Sequence, residues 1–249
     1  MLEPLTLAAI GGTFFLAGSV KGVIGLGLPT VSLAVLTVAL DLPTAMALLI
    51  VPSFVTNLWQ GLAGGELTAL LRRLWPFLLA ATATVWAGAL AVGTVDLKLL
   101  AGLLGVLLIA YATISLSGFR LHVAVSGERW AGPLIGGVNG VLTGMTGSFV
   151  VPGVLYLQAL GLSRNALVQS MGILFTLSTV ALALALEQNS LWTWDKGIVS
   201  AGAVIPALLG MALGQRIRTV LSEARFRQVF FWSLFVLGLY LGGNAVLGP

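Results

Sequence analysis

The chain alternates long apolar runs with short polar intervals from one end to the other. Runs of about 17–25 residues recur, which is the length that an α-helix needs to cross a bilayer core. The predicted segments are 5–20, 28–40, 42–62, 70–92 and 96–117, followed by 130–146, 148–161, 163–186, 196–214 and 224–247. This pattern predicts an all-α integral membrane protein with about 8–10 membrane helical segments.

The longest polar interval divides the chain nearly in half. It carries four titratable residues, which are Arg120, His122, Glu128 and Arg129. We therefore predict a first transmembrane repeat over residues 1–118, a cytoplasmic linker over 119–129 and a second transmembrane repeat over 130–249.

The first two segments of each half are short, and a glycine-rich break joins them. The first break covers residues 21–29 and the second covers 139–148. A helix of 16 residues is about 24 Å long, which falls short of a core of roughly 30 Å. Each pair is either a hairpin of short spanning helices or a re-entrant hairpin, and the sequence does not separate the two.

The two halves share a pattern of residues. Residues 21–23 align with 139–141 at an offset of 118 residues, and Gly27 aligns with Gly147 at an offset of 120. The last helix of each half begins with an acid-x-base pattern, although an acid in the first turn suits any helix dipole. We predict that each half is a Gly-broken hairpin followed by three transmembrane helices.

Composition supports lipid as the solvent around this chain. Hydrophobic residues make up 58% of the sequence and charged residues only 8%, whereas soluble domains carry roughly 25% charged residues. The chain has no cysteine and one histidine, His122, which excludes disulfides, thiolate metal sites and a multi-histidine site. No cofactor is predicted. The acidic start at Glu3 is unlike a cleavable signal peptide, so we expect the first segment to remain and span.

The basic residues predict the orientation. When the loops are assigned alternately to two sides, ten of the twelve fall on one side, which the positive-inside rule makes cytoplasmic. These ten are Lys21, Arg72, Arg73, Arg120, Arg129, Arg164, Arg216, Arg218, Arg225 and Arg227; Lys98 and Lys196 fall on the other side. Both termini are then outside. Each half crosses an odd number of times, so we predict inverted repeats whose breaks approach each other near the midplane.

The breaks are the candidate substrate site. Irregular backbone in a membrane must be buried or line a cavity, and glycine lets a ligand approach the backbone. Unpaired N–H groups at helix N-termini attract anions. The candidate substrate-binding residues are Lys21, Gly22, Gly25, Gly27, Asn57, Asn139, Gly140, Thr143, Gly144, Thr146, Gly147, Ser148 and Gln169.

Structural alternatives stay open for each kind of candidate. Small residues also occur where membrane helices pack closely. Lys21 could extend to the cytoplasmic interface as an anchor. The polar stripe from Ser53 to Gln60, and that from Gln169 to Ser178, could form hydrogen bonds between helices.

The positions of the acidic residues argue against a buried proton relay and against a membrane aspartyl protease. All of them lie near the ends of the predicted segments. A proton relay through a buried carboxylate therefore has no candidate, and a membrane aspartyl protease lacks its two carboxylates. No enzyme activity is predicted.

The breaks resemble those of the sulfite exporter TauE/SafE family of bacterial membrane proteins. The resemblance is carried by residues 18–29 with Leu42-Pro43, and by residues 137–147 continuing to Leu162-Ser163-Arg164. The second break has Met145-Thr146-Gly147-Ser148 where the family commonly has consecutive glycines. The resemblance implies transport of small sulfur-containing or organic anions, such as sulfite, sulfoacetate or related sulfonates, and implies no enzyme activity.

These observations together predict a secondary transporter of a small anion in the bacterial cell (inner) membrane. Its predicted partners are the anion and the lipid bilayer, and no nucleic acid. The coupling ion, proton or sodium, and a homo-oligomeric state stay open. The alternatives are a passive anion channel and a non-transporting membrane subunit that binds a partner protein.

Overall fold

The computed structural model describes residues 3–119, 121–220 and 222–247. Over these residues the chain is helical apart from short connections and contains no strand. The predicted all-α fold is therefore confirmed. The predicted place of Arg120 in the linker falls outside the described residues.

The helix boundaries follow the predicted segments closely. The first half contains α1 Pro4–Ile24, α2 Leu28–Ala39, α3 Leu42–Leu62, α4 Leu67–Ala83, α5 Val85–Ala89, a 3-10 turn over Leu90–Gly93 and α6 Leu97–Ser117. The second half contains α7 Val125–Thr146, α8 Gly153–Ala159, α9 Arg164–Gln188, α10 Trp194–Gly202, α11 Val204–Ile217 and α12 Glu223–Leu247. Within the described residues, seven stretches are long and apolar enough to cross a membrane, counting α4 with α5 and the 3-10 turn, and α10 with α11, as one each.

The breaks are shorter than the sequence predicts. Helix α1 continues to Ile24 and α7 continues to Thr146, so residues 21–24 and 139–146 are helical. The chain leaves the helix only where the backbone has positive φ, at Gly25 (78°), Gly27 (109°) and Gly147 (74°). The other glycines stay helical because a neighbouring helix packs against them.

Two further boundaries differ from the prediction. Helix α7 begins at Val125, inside the predicted linker of residues 119–129. Helix α8 covers only Gly153–Ala159 of the predicted segment 148–161, because residues 148–152 form an irregular connection that contains Pro152.

The chain divides into two compact units that do not coincide with the predicted repeats. Unit 1 comprises Met1–Pro52, Asp96–Gly118 and Leu191–Pro249, and unit 2 comprises Ser53–Val95 and Phe119–Ser190. Each unit therefore takes helices from both halves of the sequence, and the boundary between them falls within α3.

In unit 1, close helix pairs are built on glycine. A Cβ added to Gly18 or Gly22 of α1 would collide with the carbonyl oxygen of Ala207 or Met211 on α11. A Cβ added to Gly105 of α6 would lie 2.6 Å from a backbone carbonyl oxygen of α12. Such packing is typical of membrane helices, which gain van der Waals contact when small residues let their backbones approach.

Unit 2 uses the same device. A Cβ added to Gly136 or Gly140 of α7 would collide with the carbonyl oxygen of Phe77 or Ala81 on α4. Helix α9 packs against α4, α5 and α8 in the same unit. The long helix α7 is thereby fixed against its neighbours along the stretch that carries Asn139.

Candidate functional site

Lys21 is a buried cation within a membrane span of unit 1. It lies in the last turn of α1 and is only 5% exposed. Its carbonyl oxygen accepts the N–H of Gly25 at 2.8 Å, the bond that caps the helix. An ionisable residue inside a membrane helix is a functional-site hypothesis by default. An interfacial anchor would expose its ammonium group, so the burial favours the predicted site role.

The break after Lys21 requires glycine. Gly25 and Gly27 both have left-handed backbone conformations, which side chains with a Cβ disfavour. A Cβ on Gly27 would also lie 2.9 Å from the side chain of Val20 and 3.3 Å from the ring of Phe230. These two predicted site residues therefore shape the end of α1 and the start of α2, and their contact with a substrate stays a prediction.

Asn139 carries a buried hydrogen-bond donor in unit 2. The residue is 0% exposed. Its Oδ1 accepts the N–H of Gly153 at 2.8 Å and so ties α7 to the first residue of α8. Its Nδ2 has no hydrogen-bond partner among the described residues. A buried polar group left without a partner costs about 1–3 kcal/mol, so this amide is suited to a polar ligand.

The hydroxyl groups of Thr143 and Thr146 form hydrogen bonds within and beside the second break. Thr143 Oγ1 donates to the carbonyl oxygen of Ser148 at 3.0 Å. Thr146 Oγ1 donates to the carbonyl oxygen of Leu142 at 2.7 Å and accepts the N–H of Ser148 at 3.2 Å. With Gly147 in its left-handed conformation, these bonds form the turn out of α7. Their predicted role in substrate binding stays a prediction.

The carboxamide of Gln169 holds backbone groups of unit 2. Its Nε2 donates to the carbonyl oxygen of Gly61 at 2.8 Å, and its Oε1 accepts the N–H of Glu66 at 3.0 Å. Gln60 donates to the carbonyl oxygen of Val168 at 2.7 Å. These two glutamines therefore follow the interhelical alternative that the sequence left open. Asn57, about one turn before Gln60, is 0% exposed and remains a candidate.

Three predicted glycines contact helix backbone. Gly22 faces α11 and Gly140 faces α4, as described above. A Cβ added to Gly144 would collide with the carbonyl oxygen of Val85 on α5. The structure thus gives these glycines the packing role that the sequence left open, and their role in ligand approach stays a prediction.

Sequence reasoning did not connect Ser178 with Asn139. Ser178 is 0% exposed, and its Oγ has no partner among the described residues. Gly153, whose N–H binds Asn139, lies close to α9. A Cβ added to Gly153 would lie 3.1 Å from the side chain of Leu174, which is one turn before Ser178. Ser178 thus lies about one helical turn from that contact. The polar stripe on α9 was the only signal in the sequence that pointed to it.

Comparison with known proteins identifies the family. The sequence model of the family described as sulfite exporter TauE/SafE matches residues 10–241. The chain belongs to the sulfite exporter TauE/SafE family. This confirms the resemblance drawn from the breaks. Membership, together with the seven apolar spans, makes the chain a multi-pass membrane protein of a transporter family. Comparison with curated proteins and with solved structures gave no match.

Proposed function

We propose that this TauE/SafE protein is a secondary transporter of a small sulfur-containing anion, such as sulfite, sulfoacetate or another organosulfonate. Family membership implies a membrane exporter of sulfite or another anion. The observation that carries the finer proposal is Nδ2 of Asn139, a fully buried donor on α7 that has no hydrogen-bond partner among the described residues. The protein acts in the bacterial inner membrane with both termini outside.

The amide of Asn139 matches the chemistry of the proposed substrates. The sulfur-bound oxygens of sulfite and sulfonates are negatively charged acceptors, which need N–H or O–H donors when water is excluded. The Gly153 N–H already occupies Oδ1 of Asn139, so the side chain is held with its N–H groups as the remaining polar function. A hydrogen bond to a charged group contributes about 1.5–3 kcal/mol.

Lys21 supplies the charge that an anion requires. A carrier that accepted a bare anion into a low-dielectric interior would face a large desolvation cost. A buried ammonium group such as that of Lys21 offsets this cost. The proposed role of Lys21 is electrostatic attraction of the anion.

The packing of the helices supports a repeated architecture, which is the usual design of secondary transporters. Each unit contains one pair of helices in which two glycines four residues apart face two carbonyl oxygens four residues apart. The sequence positions of the glycines in the two units are 118 residues apart, and those of the carbonyl groups are 130 residues apart. The contacts compared are Gly18 with Ala207 and Gly22 with Met211, and Gly136 with Phe77 and Gly140 with Ala81. We propose that the two halves are inverted repeats.

An uptake screen in proteoliposomes tests the function. Sulfite, sulfate, sulfoacetate, taurine and simple carboxylates are offered to the purified protein, with an imposed proton gradient, an imposed sodium gradient or neither. We expect saturable uptake of a sulfite or sulfonate substrate. Uptake of carboxylates alone would contradict the substrate class, and single-channel conductance far above carrier turnover would identify a channel.

Two substitutions test the proposed residues. Lys21→Ala and Asn139→Ala should each weaken substrate affinity about ten- to a hundred-fold, because each removes an interaction with a charged ligand. The matched controls are Lys98→Ala and Asn165→Ala, which change exposed residues of the same types. Affinity is measured on folded protein purified by gel filtration. Unchanged affinity in Asn139→Ala with a lowered unfolding temperature would assign Asn139 to structure alone.

A further inference from the structure

A pocket lies in unit 1, and Lys21 is not among its described lining residues. It has a volume of about 520 Å³ and opens where α6 ends and α12 begins. Its lining residues are Ser115, Leu116, Gly118, Ala224, Arg227, Gln228 and Phe231. The volume lies within the range of roughly 300–1,000 Å³ that is typical of ligand sites. A sulfite ion would fill only a small part of it.

The contacts between α6 and α12 change toward the end where the pocket lies. The helices are antiparallel, and at the far end Gly102 meets Ala245 and Gly105 meets Gly238. Toward the pocket the glycine contacts are replaced by aromatic rings, with Tyr111 of α6 edge-on to Phe231 of α12 at 5.1 Å between centroids. The pocket lies beside Phe231, toward the end of α6 and the start of α12.

The described lining combines the cation of Arg227 with polar donors and an apolar wall. The guanidinium carbon of Arg227 lies 5.9 Å from the ring centroid of Phe231. Within the described residues, Arg227 makes no ion pair with a carboxylate. Gln228 adds an amide and Ser115 a hydroxyl, while Leu116 and Phe231 supply apolar surface. A ligand that suits this lining has an anionic, multi-oxygen group next to a hydrocarbon chain.

The position of the pocket agrees with that ligand. The apolar span Leu97–Ser117 ends at the pocket and the apolar span Ala224–Leu247 begins there. The ends of apolar spans lie at the depth of the lipid headgroups. The predicted orientation makes this end cytoplasmic, the side on which anionic phospholipids attract basic residues of membrane proteins. Arginine binds phosphate oxygens through paired N–H groups.

We propose that this pocket binds an anionic phospholipid, with Arg227 and Gln228 on the phosphate diester and with Leu116 and Phe231 along the start of an acyl chain. The site is separate from the residues proposed for transport. It does not depend on the identity of the transported anion.

Lipid binding to the purified protein tests the site. Phosphatidylglycerol and phosphatidylcholine are titrated separately onto the detergent-solubilised protein, and bound lipid is counted by native mass spectrometry. We expect saturable binding of phosphatidylglycerol that Arg227→Gln weakens about ten-fold or more and that Arg227→Lys weakens less. The matched control is Arg225→Gln, because Arg225 is an exposed arginine of the same helix that does not line the pocket. The affinity of this variant for phosphatidylglycerol should stay within about two-fold of the wild type.

Several results would overturn the proposal. One is equal binding of the two lipids, and another is wild-type binding by Arg227→Gln. Equal weakening by Arg225→Gln would show general attraction by surface charge. Displacement of the lipid by millimolar inorganic phosphate or sulfite would show that the pocket binds small anions instead. Because no transport is measured, these outcomes are distinct from a failure of the proposed transport function.

Discussion

At the residue scale, Pro52 shows how the structure satisfies a buried backbone group. Proline has no N–H, so the carbonyl oxygen of Leu48, four residues earlier in α3, loses its helical donor. Ser200 of α10 replaces that donor, because its Oγ donates to the carbonyl oxygen of Leu48 at 2.7 Å. The same Oγ accepts the N–H of Val51 at 3.1 Å. One hydroxyl therefore replaces the donor that Pro52 lacks, and α3 stays helical across the proline.

We expect Ser200→Ala to lower the free energy of unfolding by about 1–3 kcal/mol, because it leaves the buried Leu48 carbonyl without a donor. Thermal unfolding of the detergent-solubilised protein measures the change. The control is Ser233→Ala on α12, whose exposed hydroxyl donates to Val229, a carbonyl that the helix already satisfies. That variant should stay within about 0.5 kcal/mol of the wild type. Equal stability of the two variants would show that Pro52 needs no replacement donor.

At the element scale, glycine has two distinct tasks in these helices. Gly25, Gly27 and Gly147 end or start helices through positive φ angles. Gly22 and Gly140 stay helical and let a neighbouring backbone approach. Both tasks require glycine. The first requires it for its backbone conformation, and the second requires it because there is no space for a side chain beside the helix.

The packing role predicts that a Gly→Ala substitution lowers stability where a neighbouring backbone is close, and not where the space beside the helix is open. Gly22→Ala should destabilise the protein by about 1–3 kcal/mol, because its Cβ would collide with the backbone of α11. Gly11→Ala on the same helix has no atom within 4 Å of its Cβ, and it should be neutral or stabilise by about 0.5–1 kcal/mol. Unfolding temperatures of the two variants provide the test. A shift of the same sign in both would refute the packing role of Gly22.

A salt bridge joins two elements of unit 2. Arg73 of α4 donates from Nε to Glu128 of α7 at 2.9 Å and from Nη2 at 2.6 Å, and Nη2 also lies 3.3 Å from the carbonyl oxygen of Leu160. The sequence predicted Arg73 only as one of the cytoplasmic basic residues. The structure adds a two-point contact between α4 and the first turn of α7.

Arg73→Ala should therefore lower the stability of the folded protein by about 1 kcal/mol, a modest effect because Arg73 is partly exposed. Arg72→Ala is the neighbouring control, since Arg72 is also exposed on α4. Thermal unfolding at low and high salt measures both variants. The difference between them should shrink as salt increases. A difference that does not depend on salt would rule out the ion pair as its cause.

At the scale of the whole molecule, the proposed orientation rests on the uneven distribution of basic residues. The chain has no cysteine, so single substitutions report one position each without background. In sealed right-side-out vesicles, Ser190→Cys should react with a membrane-impermeant maleimide, because the positive-inside rule places residues 187–195 outside. His122→Cys should react only after the membrane is permeabilised. Labelling of His122→Cys in sealed vesicles would reverse the proposed topology.

Much of the architecture could be predicted from local sequence. A membrane span depends on the hydrophobicity of about twenty consecutive residues, and that property does not depend on what packs against them. For this reason the predicted segment 42–62 coincides with α3, and 96–117 lies within one residue of α6. The conformational demands of glycine likewise pointed to interruptions near Gly25 and Gly147.

The tertiary structure decided what each small or polar residue does. Gly140 and Gly147 look alike in sequence, yet one packs against α4 and the other leaves the helix. Gln169 binds the backbone of a segment about a hundred residues away in the chain, whereas Nδ2 of Asn139 finds no partner in the part of the chain that the structure describes. The sequence determined that this protein lies in a membrane, because transfer into lipid is a sum over local residues. The fold decided which buried polar groups are paired within the described residues, because a hydrogen bond depends on a partner that local sequence does not specify.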